Sequence, residues 1–350
     1  MKSKSRAFGP VYVGLDVSLK ETSICVLDDE GRTVWEGSVA SEPTVIFGAI
    51  DAVAAYPERV ALETGPTASW LWRELTSLGL PAICLDARHA HRILSMRHHK
   101  TDRNDARGLA ELVRMGWYRE AQVRSPEAQF IRSLLHVRSQ LIKTRRSLQN
   151  QMRSIVKVFG VVTSSTKGRG FSQRMRDLAL EDANLAVLLN PLLAALTEVE
   201  AQIDATTKKL LKMAREDRDV RRMMTVPGVG ALTALAFRSM IDDPSRFSSS
   251  AKVGAFLGLA PRMRQSGEMA SGGGIGHAPD GLLRSYLYEA AGVLLHKVQK
   301  WSPLKAWGVK LAKRIGGKKA GVAVARKLAV LLHTIWVDGT EFEWKAATAA

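Results

Sequence analysis

Four acids have the residue types and positions that could do chemistry. Asp16 ends an apolar run in GLDVS, and Glu63 ends another in VALETGP. Asp102 and Asp105 belong to KTDRNDA at the start of a helical stretch, where a spacing of three projects both side chains from one helix face. Crowded carboxylates are hard oxygen ligands suited to a divalent cation, and magnesium takes carboxylates together with water and phosphate oxygens. Two such ions about 4 Å apart would clamp the attacking and leaving oxygens of a phosphodiester. Each acid also has an ordinary reading: Asp102 as a helix cap, Glu63 as a strand-end acid, Asp16 as a turn residue. Their joint order favours the metal reading, because several buried carboxylates without a cation would be strongly unfavourable.

A hydroxyl is the second candidate. In FLGLAPRMRQSGE, Pro261 interrupts the chain after a helix, and Arg262, Arg264, Ser266 and Gly267 read as a basic loop of small residues. A serine there could attack phosphorus, with the arginines stabilising the developing charge. Loop serines are common, so residue type alone does not single it out. Upstream, MMTVPGVGALTALAF sets a turn between two helical stretches, with Gly228 shaping it and Gly230 exposing backbone N–H groups at the next helix start. That suits a phosphate, as in helix-hairpin-helix DNA binders, and equally suits a plain packing unit. GGGIG has no preceding strand and fails as a dinucleotide fingerprint, so it reads as a flexible loop. His277 has no visible partner, and His89, His91, His98 and His99 lack zinc-ligand spacing.

The elements that must position these residues follow from periodicity. Residues 11–40 read as three strands joined by two hairpins, an antiparallel meander. Helix, strand (RVALE), helix, strand (LPAICLD) and further helix carry the chain to residue 116. Meander followed by alternating helix and parallel strand is the order of an RNase H-like α/β fold, which brings the four acids to one place. Residues 125–159 read as one long helix with Phe130, Leu134, Val137, Leu141, Thr144, Leu148, Gln151, Ile155 and Val158 as its seam. A second helix carries Leu189, Leu192, Leu196, Val199, Ile203, Thr206, Leu210 and Met213. Alternating steps of three and four predict a coiled-coil pair, as a hairpin or across a dimer. The intervening VVTSSTKGRGFSQ reads as a turn or mobile loop. Arg132, Arg138, Lys143, Arg145, Arg146, Arg153 and Lys157 give the first helix a single-signed face that fits nucleic acid. Residues 221–350 form an all-α third unit, so the expected segments are 1–120, 121–220 and 221–350.

Composition agrees. The 350 residues exceed one ordinary core, and Lys+Arg 51 against Asp+Glu 34 leaves +17, a surplus that points to a polyanion. Cys25 and Cys84 sit in apolar runs and read as core residues in a reducing cytoplasm. No apolar run is expected to span a bilayer, and no secretory leader is read, so the expectation is an intracellular protein.

Together GLDVS, ALETGPT, KTDRNDA, PGVG, FLGLAP and the RQSGE loop resemble the DEDD transposases of bacterial insertion sequences. This is the "one-ten" family of bridge-RNA-guided recombinases, with Piv-type invertases as relatives. The resemblance covers nearly the whole chain. It implies a RuvC-like first domain, a coiled coil, and a helical transposase domain bearing a catalytic serine. Asp16, Glu63, Asp102 and Asp105 match the metal-binding tetrad, with Mg2+ as the ion, and Ser266 matches the serine. The implied mechanism forms a covalent phosphoserine with donor or target double-stranded DNA, sequence choice being left to an element-encoded noncoding RNA. The resemblance also implies dimers and tetramers whose active sites combine one subunit's carboxylates with another's serine, in a prokaryotic cytoplasm at the nucleoid. One departure stands out. ASGGGIGHAPDG lacks the basic residues relatives carry after the serine, Arg284 being the next.

The runner-up is a RuvC-like structure-specific endonuclease using only the carboxylates and water. An actin-like sugar kinase would need a second Asp-Gly-rich phosphate loop in strand context, which PDG at 279–281 lacks. A non-catalytic nucleic-acid scaffold is the remaining class.

Overall fold

The computed structural model describes residues 9–54, 56–95, 101–162, 169–266, 269–275 and 281–344. The chain divides into two compact units, Met1–Arg124 and Ser125–Ala350.

In the first unit, β1 (Val11–Val17), β2 (Glu21–Asp28) and β3 (Thr33–Ala40) form the expected meander, and β4 (Arg59–Glu63) and β5 (Ala82–Leu85) join it in parallel. The sheet order is β3-β2-β1-β4-β5, so β1 is central. Asp28 builds the β2–β3 turn: its carboxylate accepts from the backbone N–H of Glu30 and Arg32, and Gly31 supplies the positive φ of +82°.

Alternation along the strands gives the sheet two apolar faces. Val13, Leu15, Ile24, Val26, Val60 and Leu62 pack with Ile46 and Ile50 of α1 (Pro43–Asp51) and Leu71 and Leu75 of α2 (Ala68–Ser77). On the opposite face, Cys25 and Leu27 meet Ala106 and Ala110 of α4 (Asp102–Arg114), while Ala61 and Leu85 meet Leu109 and Leu112. A shorter α3 (Ala87–Leu94), capped by Asp86, precedes α4. Both cysteines are buried and free, as expected of core residues. The mixed α/β sheet followed by a mostly helical region fits an RNase H-like unit with a helical one.

The second unit begins with α5 (Pro126–Val158), α6 (Arg169–Glu181) and α7 (Ala183–Glu216). There follow α8 (Arg218–Met223), α9 (Ala231–Ile241) and α10 (Ala251–Phe256). A hairpin of β6 (Pro261–Ser266) and β7 (Met269–Ile275) leads to α11 (Gly281–His296), α12 (Pro303–Ile315) and α13 (Gly317–Asp338). One core joins Ile131 and Leu135 of α5 and Leu210 of α7 to Phe237, Leu283, Leu287, Leu328 and Leu332. A second core joins Met152 and Val156 to Phe171, Met175, Leu189 and Leu196.

Four expectations need correction. The fully buried stripe of α5 lies one residue along from the predicted seam: Ile131, Leu135, Met152 and Val156 are buried, while of the seam Leu134, Leu148 and Ile155 are half-buried against the cores and Phe130, Val137 and Val158 are exposed. The α7 seam stands as read, with Leu189, Leu196, Ile203 and Leu210 buried. Part of the interhelical segment is helix and not loop: α6 buries Phe171, Met175 and Leu178, spaced four and three, against both long helices. The Gly-rich stretch expected to be a loop forms β7, because ladder hydrogen bonds use only backbone groups and glycine supplies them. Finally, α7 and α13 do reach the length and apolar content of a bilayer span, with mean hydropathy 1.3 and 1.5. Both direct leucines into the two cores just described.

Candidate active site

Asp16 and Glu63 occupy the same end of neighbouring parallel strands. Leu15 pairs with Leu62, so the next residue on each strand, Asp16 and Glu63, turns to the α4 face of the sheet. Both side chains are half-buried.

The direction of α4 brings its acids to that end. At its last residue, Arg114 donates from Nη1 to the Asp29 carbonyl at 3.1 Å and lies beside Gly31, in the turn next to the start of β1. The helix therefore runs antiparallel to β1, with its first turn toward the end bearing Asp16. Asp102 and Asp105 prolong the stripe of Ala106, Leu109 and Val113 that rests on the sheet. Asp102 is exposed and Asp105 half-buried. Thr101 caps the helix by accepting from the Asn104 N–H at 3.2 Å, and both acids sit in the first turn, where the helix dipole favours negative charge.

Two contacts fix the helix in place. Gly14 has no room for a β-carbon, which would lie 2.0 Å from the Ala106 carbonyl oxygen and 2.5 Å from the Ala110 nitrogen. Arg103, between the two acids, grips the Glu36 carboxylate of β3 with both Nε and Nη2. A cleft beside this pair is lined by Ser23, Glu36, Ser38 and Arg103, and Ser23 is the register partner of Asp16. Sequence reading missed the Arg103–Glu36 clasp; an arginine set between two helix-face acids was its only signal.

The four acids thus share one end of one sheet face. They do not close into a ligand cluster: among the described residues no three His, Cys, Asp or Glu side chains gather closely enough to hold a metal ion. As a donor set they fit a hard divalent cation, being all carboxylates with two adjacent on the sheet and two in one helix turn.

Ser266 is the last residue of β6, paired with Met269 of β7, so its backbone belongs to a strand and not to the expected loop. Arg264 pairs with Ser271 on the same hairpin, and Arg262 lies on β6; for these three residues only the backbone is described. His98, His99 and His277 lie outside the described residues.

The basic face of α5 is partly consumed inside its unit. Arg138 donates from Nε to Thr207 Oγ1 of α7 at 2.8 Å, Arg132 approaches Met240 Sδ at 3.0 Å, and Arg153 stacks 4.4 Å over the Phe171 ring. Arg145 is half-buried, while Lys143, Arg146 and Lys157 are exposed. In the P-G-V-G turn, Gly228 (φ +87°) packs on α11, where a β-carbon would meet the Ala290 carbonyl oxygen at 2.5 Å. Gly230 is exposed at the start of α9, with no side-chain cap and open space around it.

Residues 13–160 match a transposase family model of the DEDD type, and residues 220–305 match the transposase IS116/IS110/IS902 family. The chain is 28% identical over 340 residues to the transposase for insertion sequence element IS1111A of Coxiella burnetii, covering 95% of this chain and 92% of that protein. It is 27% identical over 293 residues to a probable family 20 transposase of Pseudomonas aeruginosa, covering 80% and 84%. The transposase for IS1328 of Yersinia enterocolitica is 26% identical over 288 residues, covering 81% and 85%. Both halves of the chain matching transposase models in order, and transposases aligning along nearly its full length, the protein is a transposase of the kind insertion sequences encode, an enzyme that catalyses DNA strand transfer.

Proposed function

We propose that this transposase cuts and rejoins double-stranded DNA through a covalent bond to Ser266, assisted by Asp16, Glu63, Asp102 and Asp105. The observation that carries the carboxylate role is the in-step pairing of β1 with β4, which sets Asp16 and Glu63 side by side, under a helix whose first turn carries the other two acids toward the same end. In the chemical step the serine oxygen bonds to phosphorus, the phosphorus–oxygen bond to the leaving sugar oxygen breaks, and the serine proton passes to a base. Rejoining reverses these bonds with a new sugar hydroxyl as nucleophile. Magnesium held by the four acids would polarise the phosphate oxygens and offset the charge they develop. Arg103, held by Glu36, keeps the first turn of α4 in place and so orients Asp102 and Asp105.

The reading extends to an RNase H-like first domain (1–120), a coiled-coil segment (121–220) and a helical transposase segment (221–350). The pairing of α5 with α7 within the chain supports the coiled-coil assignment as a hairpin, and a homodimer or homotetramer belongs to the same reading. An element-encoded noncoding RNA would choose donor and target by base pairing, leaving the protein to read backbone shape and charge at the nucleoid. Lys143, Arg146 and Lys157 are the α5 cations free to meet that backbone, and Gly230 opens the start of α9 to a phosphate.

A strand-exchange assay with Ser266→Ala and Asp102→Ala tests the mechanism. Both variants are expected to lose exchange by at least about a hundredfold, and denaturing gels should show a protein–DNA adduct that Ser266→Ala abolishes. Cleavage without an adduct, unchanged in Ser266→Ala, would favour water attack at the carboxylates. Asp102→Cys adds a metal readout: inactivity in magnesium with partial recovery in manganese, which accepts sulfur more readily.

A further inference from the structure

From Ala290 through Val337 the chain contains ten Lys or Arg and no Asp or Glu. Three of the ten are engaged with aromatic rings inside the unit: Lys305 lies 4.7 Å over Trp301, Lys327 4.3 Å over Trp307 and Lys300 4.5 Å over Trp344. Five others gather where α12 turns into α13. Lys310, Lys313 and Arg314 lie one helical turn apart on α12, and Lys318 and Lys319 open α13 across the Gly316–Gly317 link. All five are exposed, and among the described residues none of them forms an ion pair.

This arrangement works against folding. Lys318 and Lys319 stand in the first turn of α13, beside the positive end of its dipole, and no acid offsets them there. Gly316 caps the helix without a side-chain hydrogen bond, and a β-carbon at Gly316 or Gly317 would meet open space, so the first N–H groups of the helix are reachable. Local rules broken at an exposed corner mark a surface shaped for something other than stability.

We infer that the α12–α13 corner is a docking surface for the phosphate backbone of duplex DNA, engaged without regard to base sequence. It is built from residues other than the carboxylates, Ser266 and the α5 cations, and it does not rest on the serine mechanism. A polyanion would relieve the repulsion at the α13 end while neutralising the five cations, and duplex DNA is the polyanion on which this enzyme acts.

The test is a titration of a fluorescent DNA duplex of unrelated sequence with the full-length protein, without divalent cation, across a salt series. Replacing Lys313, Arg314, Lys318 and Lys319 by Ala is expected to lower the slope of log affinity against log salt by about 3.6, at about 0.9 per lost phosphate contact. A control with Lys208, Lys212, Arg215 and Arg218 replaced by Ala carries the same net charge and should change the slope by less than about 1. The milder pair Lys318→Gln and Lys319→Gln should lower it by about 1.8, with an unfolding midpoint no lower than that of the parent protein. Equal losses in the corner and control variants, or an unchanged slope in the corner variant, would overturn the assignment. A loss confined to an RNA hairpin titrated in parallel would overturn it in favour of RNA. No step needs strand exchange, so failure of the serine mechanism leaves this outcome readable.

Discussion

Gly14 lies so close under Ala106 that a β-carbon on it would sit 2.0 Å from the Ala106 carbonyl oxygen. The backbone of α4 touches β1 two residues before Asp16, and the absence of one side chain sets the height of Asp102 and Asp105 above the sheet.

Gly14→Ala must therefore lift the helix or distort the strand, since neither backbone atom it meets can rotate away. Unfolding in denaturant should show a loss of about 3 kcal/mol, the upper range for overpacking. Strand exchange should fall further than stability explains. A variant as stable as the parent would show that α4 is not seated as described.

Cys84 makes stability depend on alkaline pH. Burial, and secondarily the nearby Glu120 and Glu63, push its thiol from the ordinary 9.0 up to about 11. A raised pKa means that the folded state keeps a proton the unfolded state releases. The stabilisation is complete below pH about 9 and is lost as pH rises through about 11. Relative to Cys84→Ala, the parent protein should lose up to about 3 kcal/mol across that window. Parallel curves for the two proteins would contradict it.

Arg138 and Lys143 should separate by readout although both belong to the basic run of α5. Arg138 is half-buried and donates to Thr207, so Arg138→Ala should cost about 1 kcal/mol of stability and leave the salt slope of DNA binding unchanged. Lys143→Ala with Arg146→Ala should keep stability within about 0.5 kcal/mol and lower the slope by about 1.8. The reverse pattern would exchange their roles.

Asp242 ends α9 with φ +63°, the single positive φ at a non-glycine among the described residues. It is held there by accepting from Ser125 N–H at 2.6 Å and from Ser125 Oγ at 2.7 Å, which ties the start of α5 to the end of α9. Asp242→Ala removes both acceptors and keeps the strained backbone, a loss of about 3 kcal/mol by thermal unfolding. Asp242→Asn, with one acceptor oxygen left, should recover about half of it.

Much of the first unit was legible because strand alternation and the D-D-E-G turn are local signals, and because Asp16 and Glu63 end their strands. The α5 register was not. Phe130, Leu134 and Val137 form one apolar stripe and Ile131, Leu135 and Ile142 another, and only the neighbouring helices decide which is buried. Phe171, Met175 and Leu178 would have announced α6 had the polar residues before them not suggested a loop. β7 was hidden because Gly272, Gly273 and Gly274 have no side chains from which an alternation can be read. Whether the acids close on one point depends on side-chain rotation, to which spacing is blind.

The antiparallel seating of α4 has a consequence for biosynthesis. β1 and β4 leave the ribosome first, carrying Asp16 and Glu63, and the helix bearing the remaining two acids is the last of that unit to emerge. Until it docks, a growing chain holds only Asp16 and Glu63 of the four acids proposed to act together, so on the proposed mechanism a product truncated before Asp102 is expected not to cleave DNA.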